Sequence, residues 1–408
     1  MKRRILFFAE CVTLAHMARP MVLAESLDPS EFEVFFASNG RYDHLFGSPS
    51  FAREQISTLS SELFLQRLAK GQPLYDEHTL RAYVEEDLTL LARIKPDVVV
   101  GDFRLSLSVS ARLAKIPYAT ITNVYWSPFA RQHWPVPELP MTRFAPIFLA
   151  QGMFNLVRPV AFALHTRPLN AVRRQFGLPS LGLDLRNTYT DADLTLYSDL
   201  PGLIETSALP STHRFIGPIN WSPDLPLPAW WEHIDGSRPI IYLTPGSSGS
   251  TSSLAGIATA LSSLPATVMV ATAGRHSATI ASEGVFAADY LPGGLACAKA
   301  DIVICNGGSP TCYQALAEGK PVLGIPSNLD QHLNMQAVTR AGAGIAIRSD
   351  EASTARIALA SETMAHAQTY REASLRVAQS ISECEPRKLF LESINMISSS
   401  PITATRDY

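Results

Sequence analysis

Charge is scarce in this sequence. Asp, Glu, Lys and Arg make up 17% of its 408 residues, against about a quarter in an average soluble protein. The formal net charge of −3 leaves no general basic surface for a nucleic-acid backbone, so nucleic acid is excluded as a partner. The five cysteines (Cys11, Cys297, Cys305, Cys312 and Cys384) are odd in number and form no CxxC pair. That excludes a disulfide framework and zinc spacing, and fits reduced thiols in the cytoplasm. No uninterrupted apolar run approaches the ~20 residues that span a bilayer. No G-x-G-x-x-G follows the first apolar run, and no G-x-x-x-x-G-K-[ST] occurs, so nicotinamide and P-loop chemistry are excluded.

What is present is apolar: 46% of residues. Disorder is excluded, and the length suits two or three domains. The apolar surplus belongs in cores, in a greasy pocket or on a membrane surface.

Lys2, Arg3 and Arg4 before Ile5-Leu6-Phe7-Phe8 imitate a signal peptide, but Glu10 and His16 interrupt the run. The better reading is a buried strand over 4–9. Further strands are predicted at 33–37, 97–101, 117–121, 192–197 and 213–216. A second series falls at 239–244, 266–271, 301–305, 321–325 and 344–348. Helical patterns occupy 17–27, 79–94, 105–115, 251–263, 310–318 and 331–341. The alternation argues two doubly wound α/β domains with parallel sheets. Residues 218–238 carry Pro218, Pro223, Pro226 and Pro228 and read as an extended linker. The expected division is 1–217, linker 218–238, 239–380, and a terminal helix in 381–408 packing back on the first domain. Ligands of such sheets sit in a cleft at the carboxyl ends of the strands.

Residues 124–165 are dense in aromatics, including Tyr125, Trp126, Trp134, Phe144 and Phe148, and the apolar run 144–157 lies between Arg143 and Arg158. Three readings stay open: core plus a packed loop, an apolar acceptor pocket, or a peripheral membrane patch. The pocket reading uses Tyr125, Trp126, His133, Trp134 and Phe148.

The stretch 289–336 is the most informative. Strand 301–305 ends in Asn306-Gly307-Gly308; Ser309 suits an N-cap, Pro310 an N1 position, and Gly319 a helix end. Glycines admit a close approach, and the helix start beyond them offers N–H groups to an anion. Thr311 adds a hydroxyl. A second strand–turn–helix, LTPGSSGST at 243–251, brings Ser247 and Ser248 to the same task. Either turn alone is an ordinary βα connection. Asp330 and Gln331 add a carboxylate and an amide suited to sugar hydroxyls, although Asn328 and Asp330 also suit plain helix capping. Asp191-Ala192-Asp193 imitates a metal-binding DxD but lacks flanking ligands, and no metal or cofactor is expected.

This region resembles the donor signature of the family 1, UDP-glycosyltransferase-type glycosyltransferases of the GT-B fold. The resemblance extends over nearly the whole chain. It implies two Rossmann-like domains with an interdomain cleft. It implies that Gly308, Ser309, Thr311, Ser247 and Ser248 meet the nucleotide diphosphate and that Tyr290 stacks on the base. Asp330 and Gln331 would bind the sugar. Asn306 stands where the family has histidine, Gln314 where it has the ribose-binding glutamate, and Gly293 where glutamine often follows the aromatic motif.

His16, in LAHMARP, resembles the family's catalytic histidine, with Ala15 in place of glycine and Pro20 kept. Asp102 follows strand 97–101, as the partner aspartate does. The resemblance therefore implies an inverting, metal-independent transfer. The donor would be a nucleotide sugar, of the UDP-glucose type, and the acceptor a hydroxyl of a hydrophobic or aromatic small molecule. His16 would act as base and Asp102 as its orienter. A dTDP-sugar donor, C-glycosylation, a nucleotide-sugar epimerase and a non-catalytic binding protein are the alternatives. A cytoplasmic monomer or homodimer is expected.

Overall fold

The computed structural model describes residues 2–399 except 235, 247, 248, 250–253, 275–279 and 281. Ser247 and Ser248 therefore lie outside the described residues. The chain divides into two compact units. Unit 1 comprises Met1–Gln132, Pro146–Ile219 and the segment from Cys384 onward; unit 2 comprises His133–Ala145 and Asn220–Glu383.

In unit 1 the strands are β1 (Arg3–Ala9), β2 (Phe32–Ser38), β3 (Ala52–Gln55), β4 (Val98–Asp102), β5 (Tyr118–Thr122), β6 (Leu194–Tyr197) and β7 (His213–Phe215). Between them lie α1 (Leu14–Glu25), α2 (Ser61–Ala69), α3 (Glu77–Ile94), α4 (Leu107–Ala114), α5 (Ile147–Gln175) and α6 (Leu185–Tyr189). The sheet runs β3-β2-β1-β4-β5-β6-β7 with every recorded pairing parallel. Its central strands are covered on both faces, so ILFFA and VVV are unbroken apolar runs that leave no residue exposed.

Unit 2 holds β8 (Ile240–Leu243), β9 (Thr267–Ala271), β10 (Val285–Ala288), β11 (Ile302–Cys305), β12 (Val322–Gly324) and β13 (Gly344–Ala346). Its helices are α7 (Leu254–Ser262), α8 (Gly293–Lys299), α9 (Ser309–Ala317), α10 (Leu329–Arg340), α11 (Thr354–His366) and α12 (Gln368–Ser382). The strand order is β10-β9-β8-β11-β12-β13, again parallel. The chain then returns to unit 1 as α13 (Pro386–Ser399), whose Phe390 ring lies 5.9 Å from Phe7 of β1.

Three departures of the structure from the sequence reading bear on the site and its surroundings. The 144–157 run does not stop at Arg158. Most of it belongs to the 29-residue α5, which continues through Pro159 and Pro168, with the Arg158 guanidinium over the Phe162 ring at 5.5 Å. Among the described residues α5 is the one helix long and apolar enough to cross a bilayer by length and composition. Second, α1 starts at Leu14, so His16 lies inside its first turn and not ahead of it. Third, Gly308, not Ser309, is the N-cap of α9, which moves Ser309 into the first turn.

The Asp191-Ala192-Asp193 pair is structural. Asp191 takes Arg112 and Arg173 as ion-pair partners, and Asp193 accepts from the Tyr118 N–H at 2.9 Å.

Candidate active site

In an open parallel sheet, the crevice opens where the strand order reverses. In unit 1 that point lies between β1 and β4, where Ala9 pairs with Asp102. The chain leaves β1 into α1 and so carries His16 over the end of β4. His16 Nδ1 lies 2.7 Å from Asp102 Oδ1, and the Asp102 side chain is fully buried. Phe103, held at φ 59°, stacks on the imidazole at 4.7 Å and 15°. The ring is therefore gripped by a carboxylate at one edge and an aromatic face on one side. Nε2 is the ring nitrogen that Asp102 does not engage.

One helical turn after His16 stands a residue that sequence reasoning missed. Arg19 clamps Asp102 through both oxygens, Nε to Oδ2 and Nη2 to Oδ1, each at 2.8 Å. Its Nη1 donates to Asn123 Oδ1 at 2.8 Å, and Asn123 Nδ2 donates to Asp199 Oδ1 at 2.9 Å. Burial alone would lower the affinity of Arg19 for its proton, but Asp102 reverses the direction and holds the guanidinium charged. Arg19 Nη2 also lies 3.1 Å from His16 Nδ1. With the Nδ1 proton directed at Asp102, that contact is between two donors and is electrostatic only. The i, i+3 spacing of His16 and Arg19 on α1 is the signal that could have revealed the trio.

Behind Phe103 lies a small, mostly apolar crevice with room for about one water, lined by Leu74, Tyr75, Leu105, His165, Leu185 and Tyr189, among others. Tyr189 and Tyr75 have ring centroids 5.5 Å and 6.1 Å from that of Phe103, so the cleft adjoins the His16 stack. Tyr75 Oη and Thr188 Oγ1 are buried in its wall without a partner among the described residues. Burial pushes the Tyr75 phenol up, so it stays a neutral donor. A buried hydroxyl without a partner is costly unless a ligand or water completes it.

The five acceptor residues expected from sequence are divided between the two units. His133 and Trp134 belong to unit 2, the other three to unit 1. Tyr125 is fully buried core, and Phe148 is 74% exposed on α5. Trp126 alone adjoins the cleft, edge-on to Tyr189 at 5.1 Å.

Unit 2 has its own reversal, between β8 and β11. The turns after these two strands meet there. A Cβ on Gly246 would sit 3.3 Å from Asn306 Oδ1. The same oxygen accepts from the Gly308 N–H at 3.1 Å, and Asn334 Nδ2 donates to the Gly307 carbonyl at 2.8 Å. Gly307 has φ +79°, and a Cβ there would lie 2.6 Å from Met335 Cγ, so glycine is required. The turn leads into α9, whose first residues, Ser309 and the half-buried Thr311, present its N-terminus.

The other residues expected from sequence to meet a donor follow strands of the same sheet. Asn328 caps α10 through the Gln331 N–H at 3.1 Å, leaving Asp330 half-buried in the first turn. Gln331 Oε1 accepts from Ser327 N and Oγ, which fixes the amide with Nε2 buried and without a protein partner among the described residues. Tyr290 sits over Gly274, where a Cβ would lie 2.5 Å from the phenol oxygen. Gln314 donates to the Trp221 carbonyl, and its Oε1 lies 2.7 Å from where a Gly293 Cβ would be. The glycine at 293 thus makes room for the Gln314 amide.

The chain is similar to known proteins of one kind. Residues 257–396 match the erythromycin biosynthesis protein CIII-like C-terminal domain. A "PGL/p-HBAD biosynthesis glycosyltransferase" of Mycobacterium tuberculosis strain H37Ra is 50% identical over 378 residues, 93% of this chain and 88% of that protein. A "PGL/p-HBAD biosynthesis rhamnosyltransferase" of Mycobacterium bovis strain BCG / Pasteur is 49% identical over 377 residues, 92% of this chain and 84% of that protein. The solved glycosyltransferase SsfS6 of Streptomyces sp. SF2575, complexed with thymidine diphosphate, superimposes with a TM-score of 0.68. It is 18% identical and covers 96% of this chain and 99% of its own, which shows a shared fold. On its fold and its kinship with these enzymes, the chain belongs to the family 1 natural-product glycosyltransferases of the GT-B fold.

Proposed function

We propose that His16 is the general base of an inverting transfer, oriented by Asp102, that moves a sugar from a nucleoside diphosphate to an acceptor hydroxyl. The observation that carries the reading is the 2.7 Å contact between His16 Nδ1 and a fully buried Asp102. The acceptor O–H gives its proton to Nε2 as its oxygen attacks the anomeric carbon. The bond from that carbon to the β-phosphate oxygen breaks in the same displacement, so the configuration inverts. Asp102 stabilises the imidazolium. The leaving diphosphate is met by the Gly307–Thr311 turn and the start of α9. Asp330 and the Gln331 Nε2 hold the sugar, and Tyr290 stacks on the base. No step needs a metal.

The acceptor is proposed to meet His16 beside the Phe103 ring, where Tyr189 and Trp126 add aromatic surface. Such a surface suits a phenolic or otherwise apolar hydroxyl compound. Trp126 comes from the 124–165 set. For the donor, the rhamnosyltransferase relative and the thymidine-diphosphate complex of SsfS6 favour a thymidine-linked 6-deoxyhexose over UDP-glucose. Relatives named for PGL/p-HBAD biosynthesis support an acceptor of that biosynthesis.

The test is nucleotide release from dTDP- and UDP-sugars with a panel of phenols. His16→Ala should lose at least about 100-fold in kcat while nucleotide affinity stays unchanged. Full turnover by that variant would remove His16 from the mechanism.

A further inference from the structure

The helix α5 has two faces with different fates. Ala150, Phe154, Phe162, Thr166, Leu169 and Val172 are buried. Leu149, Met153, Leu156, Val157, Val160 and Leu164 are exposed, Leu156 at 80% and Val160 at 62%. At about 100° per residue these six fall in one sector roughly 100° wide. Exposed leucines scattered singly mean little, but a continuous stripe of six does.

Charge completes the pattern. From 139 to 183 the chain has Arg143, Arg158, Arg167, Arg173 and Arg174 and no Asp or Glu, within a protein of net charge −3. Arg173 is spent on Asp191. Arg167 and Arg174 are exposed and fall in the same sector as the apolar stripe, about one and three turns beyond Leu164.

We propose that this face of α5 docks on an anionic lipid bilayer, with the helix lying in the plane of the interface. The stripe enters the acyl boundary while Arg167 and Arg174 meet lipid phosphates. A second copy of the same face is the poorer occupant, because it has no carboxylate between 139 and 183 to answer those arginines. A spanning orientation is ruled out by packing. The opposite stripe is built into unit 1, and Leu169 and Val172 belong to a core cluster with Leu80, Tyr83 and Val84 of α3. Lipid cannot surround a helix with one side in a protein core.

The inward side of α5 contributes His165, Pro168 and Leu169 to the cleft behind Phe103. The cleft wall is thus one helix diameter, about 10 Å, from the docked surface.

The experiment is flotation of the full chain with phosphatidylglycerol–phosphatidylcholine vesicles and with pure phosphatidylcholine, at low and high salt. The wild type should float with the anionic vesicles, less so at high salt. The doubly substituted Leu156→Glu/Val160→Glu chain should lose at least about 10-fold in partition on either vesicle. Arg167→Ala/Arg174→Ala should lose about 10- to 30-fold on anionic vesicles only. All these side chains are exposed, so melting temperature should not move, and turnover of a water-soluble phenol should match the wild type. Loss of that turnover in the wild type would count against the transferase reading without touching the docking. No flotation, or flotation indifferent to the Glu substitutions, would overturn the docking. So would a dimer in sedimentation velocity that the same substitutions dissolve, which would assign the face to a second copy.

Discussion

Arg19 and Asp102 offer a sharp test of how the site is held. The Asp102 side chain is wholly buried and that of Arg19 only 7% exposed, joined by two hydrogen bonds of 2.8 Å. Replacing Arg19 by Met strands a carboxylate with His16 as its remaining ionisable partner. Replacing Asp102 by Asn strands a guanidinium. Breaking one side of a buried pair costs about 3–5 kcal/mol. Each variant should therefore lose about that much in urea unfolding of unit 1. The double variant removes both charges, so its loss should fall short of the sum by at least about 2 kcal/mol. Activity should divide differently. Arg19→Met keeps the His16–Asp102 contact and should reduce kcat about 10-fold, whereas Asp102→Asn should reduce it about 1,000-fold or more. Both measurements are made below the lowest melting temperature of the set. Single-variant losses that add within about 0.5 kcal/mol would refute the pair. Equal kcat losses would refute the separate roles.

Two further expectations concern pH and the donor turn. Glu10 is fully buried beside Arg104; burial raises its carboxyl from an ordinary 4.5 to about 7, with Arg104 opposing the rise. A carboxyl that holds its proton more tightly when folded contributes fully below 4.5, and that contribution is lost as pH rises through 7. The stability of wild type minus Glu10→Gln, from urea melts, should therefore fall between those limits and flatten above; a rising difference would contradict the burial assignment. Gly307→Ala places a methyl 2.6 Å from Met335 Cγ at φ +79°. Isothermal titration should show nucleotide affinity reduced about 10-fold, with a stability loss of about 1–3 kcal/mol; an unchanged affinity would separate this turn from the diphosphate.

Much of this was readable without coordinates, for physical reasons. Strands buried on both faces appear as unbroken runs such as VVVG and IVIC, and their carboxyl ends locate His16, Asp102 and the Asn306 turn. The edge strand β3 was not readable, because its four residues, AREQ, carry no apolar pattern and half of them are exposed. Arg19 was hidden for a different reason. An arginine inside a helix is ordinarily solvated, and only the carboxylate at the end of another strand makes its burial favourable. The cleft behind Phe103 gathers residues near 75, 105, 165 and 189 that share no motif. The aromatic density of 124–165 drew attention to a neighbouring segment instead. The face of α5 was half-readable: its composition showed, but which side is buried depends on α3.

The closing helix has a consequence for the order of events during synthesis. Phe390 and Ile394 are completely buried, and Phe390 rests against Phe7 of the first strand. The sheet of unit 1 therefore cannot finish its core while only its own contiguous segments are available. It must wait until residue 394 has cleared the ribosome, long after the six helices and seven strands that unit 1 contributes earlier have been made. Unit 2 is translated within that interval, so the natural order is for the later domain to complete itself first. A chain stopped before Pro386 would leave an aromatic-lined gap beside β1 and should be caught by chaperones or protease through that gap. Pulse proteolysis of stalled chains of increasing length would time the event, with protection of unit 1 appearing only after α13 emerges.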